Sequence, residues 1–165
     1  MQEIVDIVNK KDKVIGKATR QEVKEKKLIY RCIGIYVEKN GKIIIQKRSK
    51  NKNIRPDNWS IIEETVKSEE TYEKAAIRGL KEELGLKTKK LVYLGKKLIK
   101  DKKYSDYFFI SIYKCKAIGK PRLQKEEVEK IKEFTKKQLE ILIKTRKKIS
   151  PSLKETFHTY LKSGE

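Results

Sequence analysis

One histidine, two cysteines and three prolines are all that this 165-residue chain carries of those types. The histidine, His158, stands alone near the C-terminus. That excludes a His-based metal site or a Ser-His-Asp constellation, and His158 reads as a helix-surface residue. Cys32 and Cys115 are far apart and have no CxxC spacing, so neither a thiolate zinc site nor a redox pair is expected. Both read as small core residues in a reducing compartment. There is no run of 18 apolar residues, hence no expected membrane-crossing helix. Met1 to Asn9 includes Glu3 and Asp6 and lacks the basic-then-apolar order of a secretory signal, which points to the cytoplasm. Internal repeats and low-complexity linkers are also missing. The length fits one domain, residues 1–165, with a real core.

Acid is scarce relative to base. The chain has 43 Lys and Arg against 23 Asp and Glu, a formal charge of +20, and only seven of the cations are Arg. Lys is a strongly hydrated point charge, whereas Arg offers the planar fork that grips phosphates and base edges. The excess therefore predicts attraction to anions in general, RNA among them, without sequence readout. It is equally the solvated surface of a Lys-rich soluble protein.

Apolar patterning outlines the elements. Ile4 to Val8 alternates as a strand and runs into a turn at Asn9 to Asp12. Thr19 to Lys26 fits a short helix capped by Thr19. Ile29 to Val37 and Ile43 to Arg48 read as strands joined at Asn40-Gly41, a pair that tolerates positive φ in a hairpin turn. Residues 49 to 58 form a polar loop that ends at Trp59. Ser68 is the expected N-cap of a helix with Glu69 and Glu70 in its first turn, apolar positions at Tyr72, Ala75, Ala76, Leu80 and Leu84, and a C-cap at Gly85. Leu91 to Leu94 and Tyr107 to Tyr113 read as strands separated by a Lys-heavy connector. Val128, Ile131 and Phe134 precede a helix from about Lys136, and Ser150-Pro151 opens the last helix. Strands, a helix, strands and then helices predict an α/β (α+β) class, a mixed sheet between helices.

The chemistry concentrates between Arg78 and Leu86. Glu82 and Glu83 are adjacent acids on one helix, and Mg²⁺ favours carboxylate oxygens together with substrate phosphates. Arg78, four residues earlier, can brace Glu82 from the same helix face. Glu70, Arg78, Leu80, Glu82, Glu83, Gly85 and Leu86 then match, without a gap from position 64 to 86, a pattern of Gly, five residues, Glu, seven residues, and Arg-Glu-aliphatic-any-Glu-Glu-any-Gly-aliphatic. On these residues the segment resembles the Nudix box. Asp6 to Asn9, Gly16 to Arg20, Arg31, Gln46 to Ser49, Ser150 to Leu153 and Tyr160-Leu161 are similar to the subgroup related to isopentenyl diphosphate isomerase. That subgroup's isomerases use a Cys near the box and a His ligand, and this chain has neither.

The resemblance implies a Nudix fold and Mg²⁺- or Mn²⁺-dependent hydrolysis of a diphosphate linkage in a nucleoside diphosphate derivative. It implies Glu82, Glu83 and Glu70 as metal ligands, to which Glu64 is added as a candidate from its place in the loop bordering the metal, and Glu82, Glu83, Arg78 and Glu127 as catalytic residues. Glu69 is an alternative to Glu70, and Glu126 to Glu127. Lys47 and Arg48, at a strand end, are candidates for substrate phosphate. Two departures imply reduced activity. Glu63 and Glu64 stand where the pattern has glycine, and Gly79 stands where it has a metal-binding Glu. Gly inside a helix also costs roughly 1 kcal/mol against Ala. Glu63 and Glu64 are candidates to replace the lost acid. The alternative is a catalytically silent fold that binds a phosphorylated ligand or RNA. The tyrosines and phenylalanines at 104 and 107–109 fit either a base-stacking surface or strand core.

Overall fold

The computed structural model describes residues 2–123 and 126–164. Strand β1 (Ile4–Val8) turns back into β2 (Val14–Thr19), and helix α1 (Arg20–Lys26) follows under a capping box in which Thr19 and Glu22 satisfy each other's backbone N–H. Strands β3 (Ile29–Lys39) and β4 (Lys42–Arg48) form the expected hairpin, with Asn40 and Gly41 at φ 51° and 74°. Short strands β5 (Trp59–Ser60) and β6 (Ile62–Thr65) lead to α2 (Tyr72–Leu84). Then come β7 (Lys87–Thr88), β8 (Val92–Asp101), β9 (Asp106–Ile118), β10 (Val128–Phe134), α3 (Lys136–Thr145) and α4 (Pro151–Lys162).

β3 is the hub of the sheet. It runs parallel to β9 over Ile29↔Tyr107 to Glu38↔Lys116 and antiparallel to β1, β4 and β6. The sheet is therefore mixed. Alternation along β3 sends Ile33, Ile35 and Val37 to one face and Tyr30, Cys32 and Tyr36 to the other. The first face packs on Ala75, Ala76, Leu80 and Leu84 of α2, and the second on Leu139, Leu142, Leu153, Phe157 and Tyr160 of α3 and α4. Burial on both faces explains why β3 reads as a nearly unbroken apolar run.

Several elements differ from the sequence reading. Thr71, not Ser68, caps α2, so Glu69 and Glu70 lie in the preceding turn, with Glu69 at φ 66°. The Lys-heavy segment is mostly β8, paired with β9 from Val92↔Lys114 to Asp101↔Asp106. β2 and β10 are further strands, and most of their positions stay solvated. All three have a partly wet face, where Lys and Glu suit a strand as well as a loop. Cys32 and Cys115 are buried free thiols and His158 is exposed, as the sequence suggested. Of the aromatic group, Phe108 and Phe109 are buried in the sheet. Among the described residues no helix is long and apolar enough to cross a membrane.

A buried carboxylate ties the N-terminal turn to this body. Asp12, at φ 60°, accepts from Arg31 Nε at 2.7 Å, Lys96 Nζ at 2.7 Å and the Tyr72 hydroxyl at 2.9 Å. These partners lie on β3, β8 and α2. Burial alone would raise the Asp12 pKa; the hydrogen bonds from Lys96, Arg31 and Tyr72 outweigh it and hold the group below the ordinary carboxylate value. The folded-state pKa is thus depressed, so the stabilisation exists above the unfolded value near 3.9 and is lost as pH falls through the folded one. Asp12→Asn keeps the shape and tolerates positive φ. It is expected to remove about 2 kcal/mol of stability at pH 7, seen as a melting temperature lower by roughly 6 °C. The gap between variant and wild type should close below about pH 4. A gap that persists undiminished at pH 3 would show that packing, not charge, is what Asp12 supplies.

Candidate metal and phosphate site

Helix α2 buries Ala75, Ala76, Leu80 and Leu84 against the sheet, and that fixes the direction of its polar edge. Arg78 is the centre of that edge. Its Nε and Nη2 meet both oxygens of Glu70 at 2.8 and 2.9 Å, and Nη2 also donates to the Thr65 carbonyl at 2.8 Å. Nη1 donates to Glu82 at 3.1 Å and lies 3.8 Å from Glu64. Glu70 also accepts the Lys67 N–H at 2.9 Å, and the Arg78 guanidinium holds its carboxyl below the usual range. Its oxygens are therefore engaged in orienting Arg78. Glu69 is exposed and pairs with Lys17 at 3.5 Å.

Glu64 enters from β6 beneath the helix. It accepts the Thr65 N–H at 2.9 Å, and its carboxyl reaches Glu83 across the strand–helix gap. Burial raises both groups; Glu83, also facing the Glu64 charge, is pushed up to about 7. Two carboxyls forced together in this way need a shared proton or a cation. Next to them, Glu63 is held at 2.7 Å by the Ser60 hydroxyl, which in turn accepts from Ser150 at 2.8 Å.

These acids line a cavity of about 380 Å³. Arg20, Arg48, Lys52 and Arg55 line it as well, with Tyr30, Cys32 and Phe108 supplying apolar surface. Arg55 is committed to Asp101 and Asp106 at 2.9 and 3.0 Å, and Arg20 lies over the Tyr30 ring. Arg48 spends its Nε on the Ile54 carbonyl at 2.7 Å, and burial together with the nearby Arg55 charge lowers its pKa. A pair of guanidiniums facing one hollow is relieved by an anion. Gln46 adds a buried Oε1 with no partner among the described residues.

The sequence-derived candidates divide accordingly. Glu64, Glu83, Glu127 and Arg48 line the cavity, whereas Glu70, Glu82 and Lys47 do not. Lys47 precedes Arg48 on β4, so alternation turns it to the opposite side, where Asp57 holds it at 3.0 Å. Glu127 bonds Lys52 at 2.9 Å at the cavity wall, and Glu126 is exposed. Arg20, Arg55 and Gln46 were not singled out as binding residues by the sequence, whereas Glu63 was, as a candidate to replace the lost acid. The scarcity of Arg was the available signal, since three of the seven line this cavity and a fourth braces the acids. As the side chains stand, no three His, Cys, Asp or Glu groups among the described residues converge on a single point.

Comparison with known proteins gives a consistent match. The NUDIX domain family model covers residues 28–158. The chain is 29% identical over 134 residues to the uncharacterized Nudix hydrolase YfcD of Escherichia coli K12, covering 78% of this chain and 72% of that protein. It is 27% identical over 128 residues to an uncharacterized Nudix hydrolase of Streptomyces coelicolor, covering 76% and 71%. Among solved structures, DR0079 of Deinococcus radiodurans superposes with a TM-score of 0.76 at 22% identity, over 94% of this chain and 98% of that one. A MutT NUDIX hydrolase of Burkholderia pseudomallei gives 0.69 at 17% identity, over 79% and 97%.

Proposed function

Because this chain belongs to the Nudix domain family, we propose that it hydrolyses a diphosphate linkage in a nucleoside diphosphate derivative, with Mg²⁺ or Mn²⁺ and at a reduced rate. Members of the family generally use divalent metals, and the donor set suits one. Glu64 and Glu83 are oxygen donors pressed together, with Glu82 adjacent in sequence, which is hard-cation chemistry. The observation that carries the reading is that acids and guanidiniums line one and the same cavity. Such a hollow accepts a metal at Glu64 and Glu83 and phosphate oxygens at Arg48 and Lys52.

A bound ion would neutralise phosphate oxygens and lower the pKa of a water. The protein's own groups do the rest. Arg48 offers its terminal nitrogens to the phosphate, and Arg78 keeps Glu82 and Glu64 on one side of the helix. Glu127, whose charge is felt at Glu83, is the candidate to take the water's proton. The reduced rate is read from the departures from the box pattern at Glu63, Glu64 and Gly79. Incubation with a panel of nucleoside diphosphate derivatives tests the reading. Turnover should require added Mg²⁺ or Mn²⁺ and vanish with chelator. Turnover no greater than that of a Glu82→Gln, Glu83→Gln double variant would refute it. The +20 charge favours a second reading, a silent fold that holds phosphorylated ligands or RNA. Salt-dependent RNA binding without turnover would be its signature.

A further inference from the structure

Two departures from the Nudix pattern look unrelated in the sequence, fifteen positions apart, and are one arrangement in space. A Cβ built on Gly79 would stand 2.8 Å from Glu64 Cβ and 3.3 Å from Glu64 Cγ. Real Cβ atoms do not tolerate such an approach, and the Glu64 atoms involved are its rigid stem, next to the backbone of β6. The stem of Glu64 therefore fills the space that a side chain at position 79 would need. Gly79 is buried in the middle of α2, where glycine weakens a helix, and the Glu64 stem is a sufficient reason for its presence.

The carboxyl ends match as well. A Glu at position 79 would be the i,i+4 neighbour of residue 83 on the same helix face. In this chain the group that reaches Glu83 is Glu64, which also comes within 3.8 Å of Arg78. We infer that Glu64 and Gly79 are a compensated exchange: the ligand carboxylate that the pattern carries on the helix at 79 is delivered here from strand β6 at 64, through the space that glycine leaves. This rests on the metal-dependent reading above and deepens it by naming the route of the third carboxylate. The apparent loss of a ligand is then a relocation, and Gly79→Glu alone should not restore a site but damage one.

A mutant cycle read by Mn²⁺ binding and by melting of the metal-free protein tests this without recourse to turnover. Mn²⁺ affinity is followed by the loss of the free-ion electron paramagnetic resonance signal. Glu64→Gln should weaken binding at least about 10-fold while leaving the fold intact. Gly79→Glu should lower the melting temperature by roughly 5 °C, because two side chains claim one space. Gly79→Ala should show the same direction, since the clash begins at Cβ. The double variant E64G/G79E should regain both the melting temperature lost by Gly79→Glu and Mn²⁺ binding within about threefold of wild type, a non-additivity that only residues in contact produce. Strictly additive melting effects would overturn the exchange, with or without metal. Wild-type binding of Mn²⁺ that Glu64→Gln leaves unchanged would overturn the relocation while sparing the hydrolase reading. Failure of wild type to bind Mn²⁺ at all, even with a nucleoside diphosphate present, would remove that reading and this inference's ligand role with it, whatever the melting cycle shows.

Discussion

Glu83→Gln is expected to lower kcat/KM by on the order of 10³-fold with Mg²⁺, beyond the 10- to 100-fold typical of an outer partner of a metal ligand. The amide has nearly the volume of the carboxylate, so α2 should stay packed through Leu80 and Leu84. What changes is the charge. Glu83 faces Glu64 directly and feels Glu127 and Glu82 as well, so in the metal-free protein it is surrounded by like charge. Removing it relieves repulsion while removing a ligand, and the two measurements should move in opposite directions. In chelator at pH 8 the variant should melt above wild type. With excess Mn²⁺ the order should reverse, because only wild type gains from the ion. A plain surface acid would shift neither quantity noticeably. A variant that loses stability in chelator would show that Glu83 is held by a favourable contact, and the ligand assignment would fall.

How far the site could be read in the sequence depends on which contacts are local. Arg78 with Glu82 is a one-turn neighbour relation on a helix, so spacing alone places the two together, and they meet at 3.1 Å. The Asn40-Gly41 turn and the capping of α1 by Thr19 are local in the same sense. The Nudix pattern was legible because its spacing lies mainly on one helix. Glu64 against Gly79 was not, since it depends on how β6 passes beneath α2, and a sequence shows only that each position departs from the pattern. The set of guanidiniums lining the cavity is still less local: Arg20, Arg48 and Arg55 come from a helix start, a strand end and a loop. Lys47 and Arg48 were indistinguishable as adjacent cations, and strand alternation separates them. The extension of β8 beyond Leu94 was missed for another reason. Its Lys residues read as a connector, yet its Ile99 is fully buried and the strand pairs along β9.

Arg78→Met is expected to be the most destabilising single change at this site, by about 3 kcal/mol, with the melting temperature down by roughly 9 °C. The aliphatic stem is preserved, so the loss reports on the guanidinium. That group is only 19% exposed, and it fills two oxygens of Glu70, the Thr65 carbonyl and one oxygen of Glu82. Without it Glu70, whose side chain is 15% exposed, is left as an inward carboxylate with the Lys67 N–H as its remaining support. Most of the penalty should therefore come from the orphaned acid rather than from lost attraction. Adding Glu70→Gln to Arg78→Met should accordingly recover part of the stability, whereas Glu70→Gln alone should lower it. Arg78→Lys should fall between, because one ammonium keeps the charge but cannot span Glu70, Glu82 and Thr65 together. Mn²⁺ affinity should fall by 10- to 100-fold in Arg78→Met, through freed orientation of Glu82 and Glu64, and the Glu70→Gln addition should leave that deficit in place. If the double variant regained metal affinity along with stability, Arg78 would be a prop for the fold alone, and its role as the positioning residue of the acidic edge would have to be given up.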